Sequence, residues 1–205
     1  MFCPAQIADA KRRTVEKKNM ASTLLKSIAE SQFEIQESKS VWKNTPFSAM
    51  ENLKPDYSGK VGERLLADLC KKSGVNHVWV NDNKNSKDGT YDITILGKKV
   101  EVKTARLGVD GAFQHESLRA AGCDFYTFVD VTPTYFYLTI IPKFDMRAKH
   151  PVFGRKPHLR KETTNVFKFD LSEFNLKKGI AAGITIKVDA DTDVTDFIVR
   201  QIGCE

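Results

Sequence analysis

No stretch of this 205-residue chain approaches the run of about 20 apolar residues that spans a bilayer. The opening, MFCPAQIADAKRR, has no apolar centre of the kind a secretory leader needs, so a cytoplasmic protein is expected. Cysteine is scarce. Cys3, Cys70, Cys123 and Cys204 are too far apart for a Cys-x-x-Cys metal clip, which excludes the common zinc folds. Cys70 falls in an apolar helical pattern and Cys123 at the start of an apolar run, so both are expected as small core residues. Histidine is equally sparse, and His77, His150 and His158 show no ligand spacing. There is no internal repeat and no low-complexity tract.

Acidic residues are also in deficit. Twenty-six Asp and Glu face thirty-two Lys and Arg, a formal net charge of +6. A basic balance favours partners that carry phosphate, because each neutralised phosphate releases condensed counterions. With 41% hydrophobic residues, thirteen Phe among them, the chain is expected to bury one substantial core.

Periodicity divides the chain into three parts. Residues 1–58 read as a helical extension, with Met20, Leu24, Ile28 and Ile35 at helical spacing, a basic cluster at Lys11 to Lys18, and a polar connector from residue 36. Residues 59–142 are the most regular part. Lys60–Lys72 has amphipathic spacing, with Val61, Leu65, Leu66 and Leu69 expected on the buried side and Gly74 as the stop. Strands are expected at His77–Val80, Tyr91–Leu96, Lys99–Thr104, Asp124–Val131 and Tyr135–Ile141, with a helix at Gln114–Ala121. Residues 143–205 open with a basic loop over 143–161, seven Lys or Arg against one Asp. Two strands (Asn165–Phe169, Ile184–Val188), a short helical stretch and an acidic tail follow. The triplet Asp189, Asp191, Asp193 lacks the glycine and glutamate of a calcium loop. The fold class expected is α/β (α+β), a central mixed sheet flanked by helices, with N-terminal helical and C-terminal β-rich additions.

The chemistry concentrates in one hairpin. With Gly97-Lys98 as the turn, Ile95 would face Val100, Thr94 would face Glu101 and Asp92 would face Lys103. Side chains alternate between faces of a strand, so Ile93, Ile95, Val100 and Val102 form a core face while Asp92, Thr94, Glu101 and Lys103 share the other. Two carboxylates and a lysine on one surface suit phosphodiester hydrolysis. A hard cation such as Mg²⁺, with Mn²⁺ as a substitute, binds carboxylate oxygens while keeping water ligands, and an ammonium offsets charge on the phosphorus. An exposed ladder of cross-strand ion pairs would have the same sequence.

Gly62-Glu63-Arg64 on a helix, Tyr91-Asp92-Ile93 opening a strand and Glu101-Val102-Lys103-Thr104 on the next together resemble the PD-(D/E)XK nuclease superfamily, over about residues 59–142. Tyr91 stands where that pattern often has proline. The resemblance implies a restriction-endonuclease-like core. It implies Asp92, Glu101 and the Val102 carbonyl as metal ligands, Lys103 positioning the attacking water, and Glu63 supporting the site. It implies a homodimeric type II restriction enzyme acting on double-stranded DNA. A junction-resolving or repair nuclease, and a non-catalytic DNA-binding protein of the same fold, remain as alternatives. DNA contacts are expected from Gln114 and His115 and from the basic loop, through Arg147, Lys149, Arg155, Lys156, Arg160 and Lys161; His150 and His158 are read as phosphate contacts there.

Overall fold

The structure, a computed structural model, describes residues 25–35, 39–80, 91–119, 122–189 and 192–203. The chain forms two units, residues 1–44 and 45–205. In the first, residues 25–35 are helical, as expected, with Ile28 and Ile35 exposed and an exposed pair between Lys26 and Glu30 at 3.8 Å. Met20, Leu24 and the basic cluster before them lie outside the described residues.

The second unit begins with a 3-10 turn, Ser48–Asn52, and the helix α1, Pro55–Lys72. α1 starts earlier than expected because Pro55 occupies its first turn, where a missing N–H costs nothing. Asp56 near its start and Lys71 and Lys72 near its end complement the helix dipole, and Gly74, at φ +66°, lets the chain leave it. The buried stripe of α1 is Ser58, Gly62, Glu63, Leu66, Ala67 and Cys70, whereas Val61, expected inside, is 40% exposed. The stripe is rotated toward the small residues because they let the helix lie close to the sheet. A Cβ on Gly62 would stand 1.9 Å from the Thr104 hydroxyl oxygen.

Strands β1 (His77–Trp79), β2 (Ile93–Ile95) and β3 (Lys98–Arg106) form an antiparallel meander. β4 (Ala112–Arg119) leaves this layer, and β5 (Phe125–Val131) returns to pair with β3 in parallel. β6 (Phe136–Pro142) and β9 (Thr185–Val188) complete a six-stranded mixed sheet in the order β1-β2-β3-β5-β6-β9. β4, β8 (Val166–Ser172) and β7 (His158–Lys161) form a separate three-stranded sheet. The helices α2 (Glu173–Ala181) and α3 (Thr195–Gly203) finish the unit. The mixed sheet flanked by helices is the fold class expected. No helix among the described residues is long and apolar enough to cross a membrane.

Two expectations are corrected here. Gln114–Ala121 is not a helix: its described residues belong to β4. Phe113 and His115 alternate inward as in any strand, but a bulge between His115 and Leu118, with Ser117 at φ +59°, adds one residue before Leu118 turns inward again. That extra residue breaks the two-residue period and puts the inward-facing His115 and Leu118 three residues apart, a helical spacing. The β2–β3 turn is Leu96-Gly97, both at positive φ, rather than Gly97-Lys98. Ile95 therefore faces Lys98 and Ile93 faces Val100. The register moves by two residues, so every side chain keeps its face. Ile93, Ile95 and Val100 are fully buried and Val102 is nearly so.

The three-stranded sheet packs its apolar face on β5 and β6. Phe113, Tyr126, Phe128, Phe153 and Phe169 meet there, each contributing roughly 1.5–3 kcal/mol of burial. Glu101 and Lys103 project on the same side of the large sheet as Tyr126 and Phe128, their partners in register, while α1 packs against the opposite side, where Thr104 meets Gly62.

Candidate active site

Asp92 stands where β2 begins. Its N–H donates to the Val100 carbonyl at 3.0 Å, and its own carbonyl accepts from the Val80 N–H at 3.0 Å. The ladder between β2 and β3 runs no further than Ile93 and Val100. Beyond it the Val102 N–H has no strand partner on that side, and the Asp92 carboxylate takes the place of one, accepting this hydrogen bond at 2.8 Å. The N–H and C=O of one strand residue point to the same neighbour, so the Val102 carbonyl opens toward the same gap.

Glu101 and Lys103, two residues apart on β3, lie on one face and form an ion pair at 2.5 Å. Their side chains are 13% and 20% exposed, so the pair is screened from bulk water but not sealed off. Asp92 is within the field of both. Its pKa is pushed up to about 7, first by burial, then by the negative charge of Glu101; the Val102 hydrogen bond opposes this, Glu63 adds to it and Lys103 opposes it.

Glu63, on α1 at the other side of the sheet, adds negative charge near Asp92. It is 8% exposed, with the Lys60 ammonium at 3.2 Å and the Trp79 indole N–H donating at 3.5 Å. The Arg64 guanidinium lies over the Trp79 ring at 5.6 Å. Trp79 was not legible as part of the site, nor was the role of Gly62 in the close packing of α1. A tryptophan on a short strand reads as core, and a glycine in a helix reads as tolerated. The signal was the pairing of Gly62 with a threonine on the facing strand, visible only once the two are packed together.

Of the residues expected to carry catalysis, Glu101 and Lys103 pair on one face of β3 with Asp92 in their field, while Glu63 belongs to the helix on the opposite side of the sheet and acts on Asp92 only as a negative charge. Among the described residues no three His, Cys, Asp or Glu side chains are placed to hold a metal ion. A cation here would rest on two carboxylates, a backbone carbonyl and water. That donor set fits Mg²⁺, which takes few protein ligands, and the mutual repulsion of Asp92 and Glu101 is what a cation would relieve.

The expected DNA contacts divide. Gln114 is exposed on β4, accepting from the Lys168 ammonium at 2.9 Å and donating to Asp110 at 3.3 Å. Arg147, Lys149, Arg155 and Lys156 are exposed on the loop before β7; Arg160 is exposed on β7, 3.5 Å from Glu116, and Lys161 ends that strand. His115 is a correction. It is 1% exposed, with its Nε2 at 2.8 Å from Asp130 and its ring against Phe128, so it cannot touch a ligand outside the core. Its inward position follows from β4 being a strand, since His115 shares a face with Phe113. His150 is a second correction. It packs against Phe144 and Phe153, accepts a hydrogen bond from the Phe153 N–H, and has its pKa lowered to about 4 by burial. A neutral, buried imidazole is no phosphate contact. His158 stays exposed.

No family model matches the chain, and no curated protein does. Among solved structures, the bacterial homing endonuclease I-Ssp6803I is similar over 58% of this chain and 75% of its own, with 13% identity and a TM-score of 0.37. That likeness is too slight to carry an argument about fold or function.

Proposed function

We propose that this protein is a Mg²⁺-dependent DNA endonuclease. The observation that supports it is the Asp92 carboxylate held on the Val102 N–H, beside Glu101 and Lys103, on a half-screened strand face. Asp92, Glu101 and the Val102 carbonyl would hold the cation. Bound there, magnesium would supply positive charge to a phosphate oxygen and make water a better nucleophile. Lys103 orients the water and offsets the charge that builds on phosphorus as water attacks and the bridging P–O bond breaks. Glu63, fixed by Trp79, sets the local field from the helix side.

Cleavage of a specific duplex sequence, as by a restriction enzyme, is the favoured substrate reading. A twofold dimer would place two such sites on opposite strands. Incubating the full chain with plasmid DNA and Mg²⁺ or Mn²⁺ tests this. Discrete fragments support it, preferential cutting of four-way junctions favours a junction-resolving nuclease, and DNA retardation without any cleavage rejects the enzyme.

A further inference from the structure

We infer that the outer face of the three-stranded sheet β4-β8-β7 reads base edges in the major groove of a DNA duplex, while the adjoining basic loop holds the phosphates. This rests on the nuclease reading above for its partner, duplex DNA, and deepens it.

The inner positions of β4 and β8, such as Phe113, His115 and Phe169, are buried in the core. Alternation places Gln114, Glu116, Lys168 and Asp170 on the other face. His158 joins them, since it pairs with Lys168, as does Arg160, whose guanidinium meets Glu116. This face is not uniformly basic. Lys168 and Arg160 balance Glu116 and Asp170, and the Gln114 amide both donates and accepts. Phosphates accept only, so a phosphate-binding surface needs donors and gains nothing from carboxylates. Base edges in the major groove present donors and acceptors together, which is what this face complements.

Among the described residues, the cations without an acidic partner on this face lie at its edge. Arg147, Lys149, Arg155 and Lys156 all come from the loop before β7, and two of them tie that loop to the sheet. Arg147 donates to the Asn165 side chain at 3.3 Å, just before β8, and Arg155 to the Asp170 carbonyl at 3.4 Å, near its other end. Phosphate contacts on a rim and base contacts on a platform is the division a duplex demands.

The platform is also pre-ordered. Asp110, Gln114, Lys168 and Asp170 form one chain of contacts, at 3.3, 2.9 and 3.4 Å in turn. Side chains already held in place lose less freedom on binding. The outer strands of such a sheet lie roughly 10 Å apart, against a major groove about 12 Å wide. The bulge after His115 adds local twist and turns Glu116 and Ser117 outward. β4 follows β3 directly, and the small sheet packs on the side of the large sheet that carries Glu101 and Lys103.

The test is selection from a pool of randomised duplexes, by binding in Ca²⁺ and separately by cleavage in Mg²⁺. The proteins are the full chain, Gln114→Ala, Lys168→Ala and, as a control on a distant helix, Lys71→Ala. The expected result is a defined sequence for the full chain and for Lys71→Ala. In Gln114→Ala and in Lys168→Ala, preference at one or two positions should drop about tenfold while the other positions stay selected. Selection of no sequence by the full chain, or unchanged preference at every position in both platform variants, overturns the inference. Unchanged urea midpoints guard against misfolding. Binding selection that responds to Gln114 and Lys168 without any cleavage upholds this inference and sinks the enzymatic reading. Cleavage with specificity indifferent to both residues does the reverse.

Discussion

The Asp92 carboxylate completes the β2–β3 ladder with its side chain, accepting the Val102 N–H at 2.8 Å where the backbone of β2 no longer reaches. The two strands thus part at one point, and the acid is fixed there by a bond that asparagine can also make. Asp92→Asn should therefore keep the fold and abolish cleavage. Plasmid digestion over a time course checks this; cutting within about tenfold of the unaltered protein would remove Asp92 from the reaction.

The same substitution should change how stability depends on pH. The Asp92 pKa is raised from 3.8 to about 7 in the folded state. Between those values the folded protein holds a proton that the unfolded chain releases. Stability from this group is therefore present at low pH, falls as pH rises toward 7, and stays lost above it. The full difference is up to about 4 kcal/mol. Asp92→Asn should flatten that decline and be the more stable protein at pH 8 without metal. Adding Mg²⁺ should raise the pH 8 midpoint of the unaltered protein and leave that of Asp92→Asn much less changed. Urea titrations across pH, with and without Mg²⁺, give both results; a decline equally steep in the variant contradicts the assignment.

The faces of the hairpin were legible in the sequence because alternation survives a two-residue slip. Its register was not, because Leu96 takes a positive φ that a branched side chain rarely adopts, and nothing in the local composition announces it. The approach of α1 was partly legible through Leu66 and Cys70. Its rotation toward Gly62 depends on Thr104, about forty residues away in sequence, which no local pattern reports. His115 was misplaced for a related reason: the bulge gave a strand the spacing of a helix.

Gly62 lets α1 bring Glu63 to the strand. Gly62→Ala places a methyl 1.9 Å from the Thr104 hydroxyl oxygen and 3.1 Å from its Cβ. The helix must shift, at a cost of roughly 1–3 kcal/mol. Cleavage should fall further than stability alone explains, because Glu63 moves with the helix, away from Trp79 on β1. Adding Thr104→Ala removes the closer contact and should restore part of both. If Gly62→Ala is as stable and as active as the parent, the close approach is not needed.

His115 and Asp130 are both fully enclosed, 2.8 Å apart. The 2.8 Å approach is not a well-aligned hydrogen bond, as none of their ring or carboxyl atoms makes one among the described residues, so the pair is close but poorly satisfied. His115→Ala should cost about 1–3 kcal/mol, more than truncating an exposed neighbour such as Glu116, because it leaves a buried polar group without its neighbour. Replacing both with apolar residues of similar size, as His115→Phe with Asp130→Leu, should recover most of the loss, since no group is then left unpaired. Chemical denaturation of the two variants decides it: a double variant as weak as the single one would mean the pair shapes the packing rather than satisfying each other.

Arg155 and Lys156 stand exposed on the basic loop, the first anchored to the Asp170 carbonyl. Each phosphate they neutralise releases counterions, so the slope of log K against log salt should shrink by about 2 when both become alanine. The loss of affinity should be the same for every duplex sequence, because a phosphate carries no base information. Binding isotherms at several salt concentrations, on two unrelated duplexes, measure both properties at once. A slope that does not move takes the loop out of the interface, and a loss confined to one sequence would make these residues readers of bases.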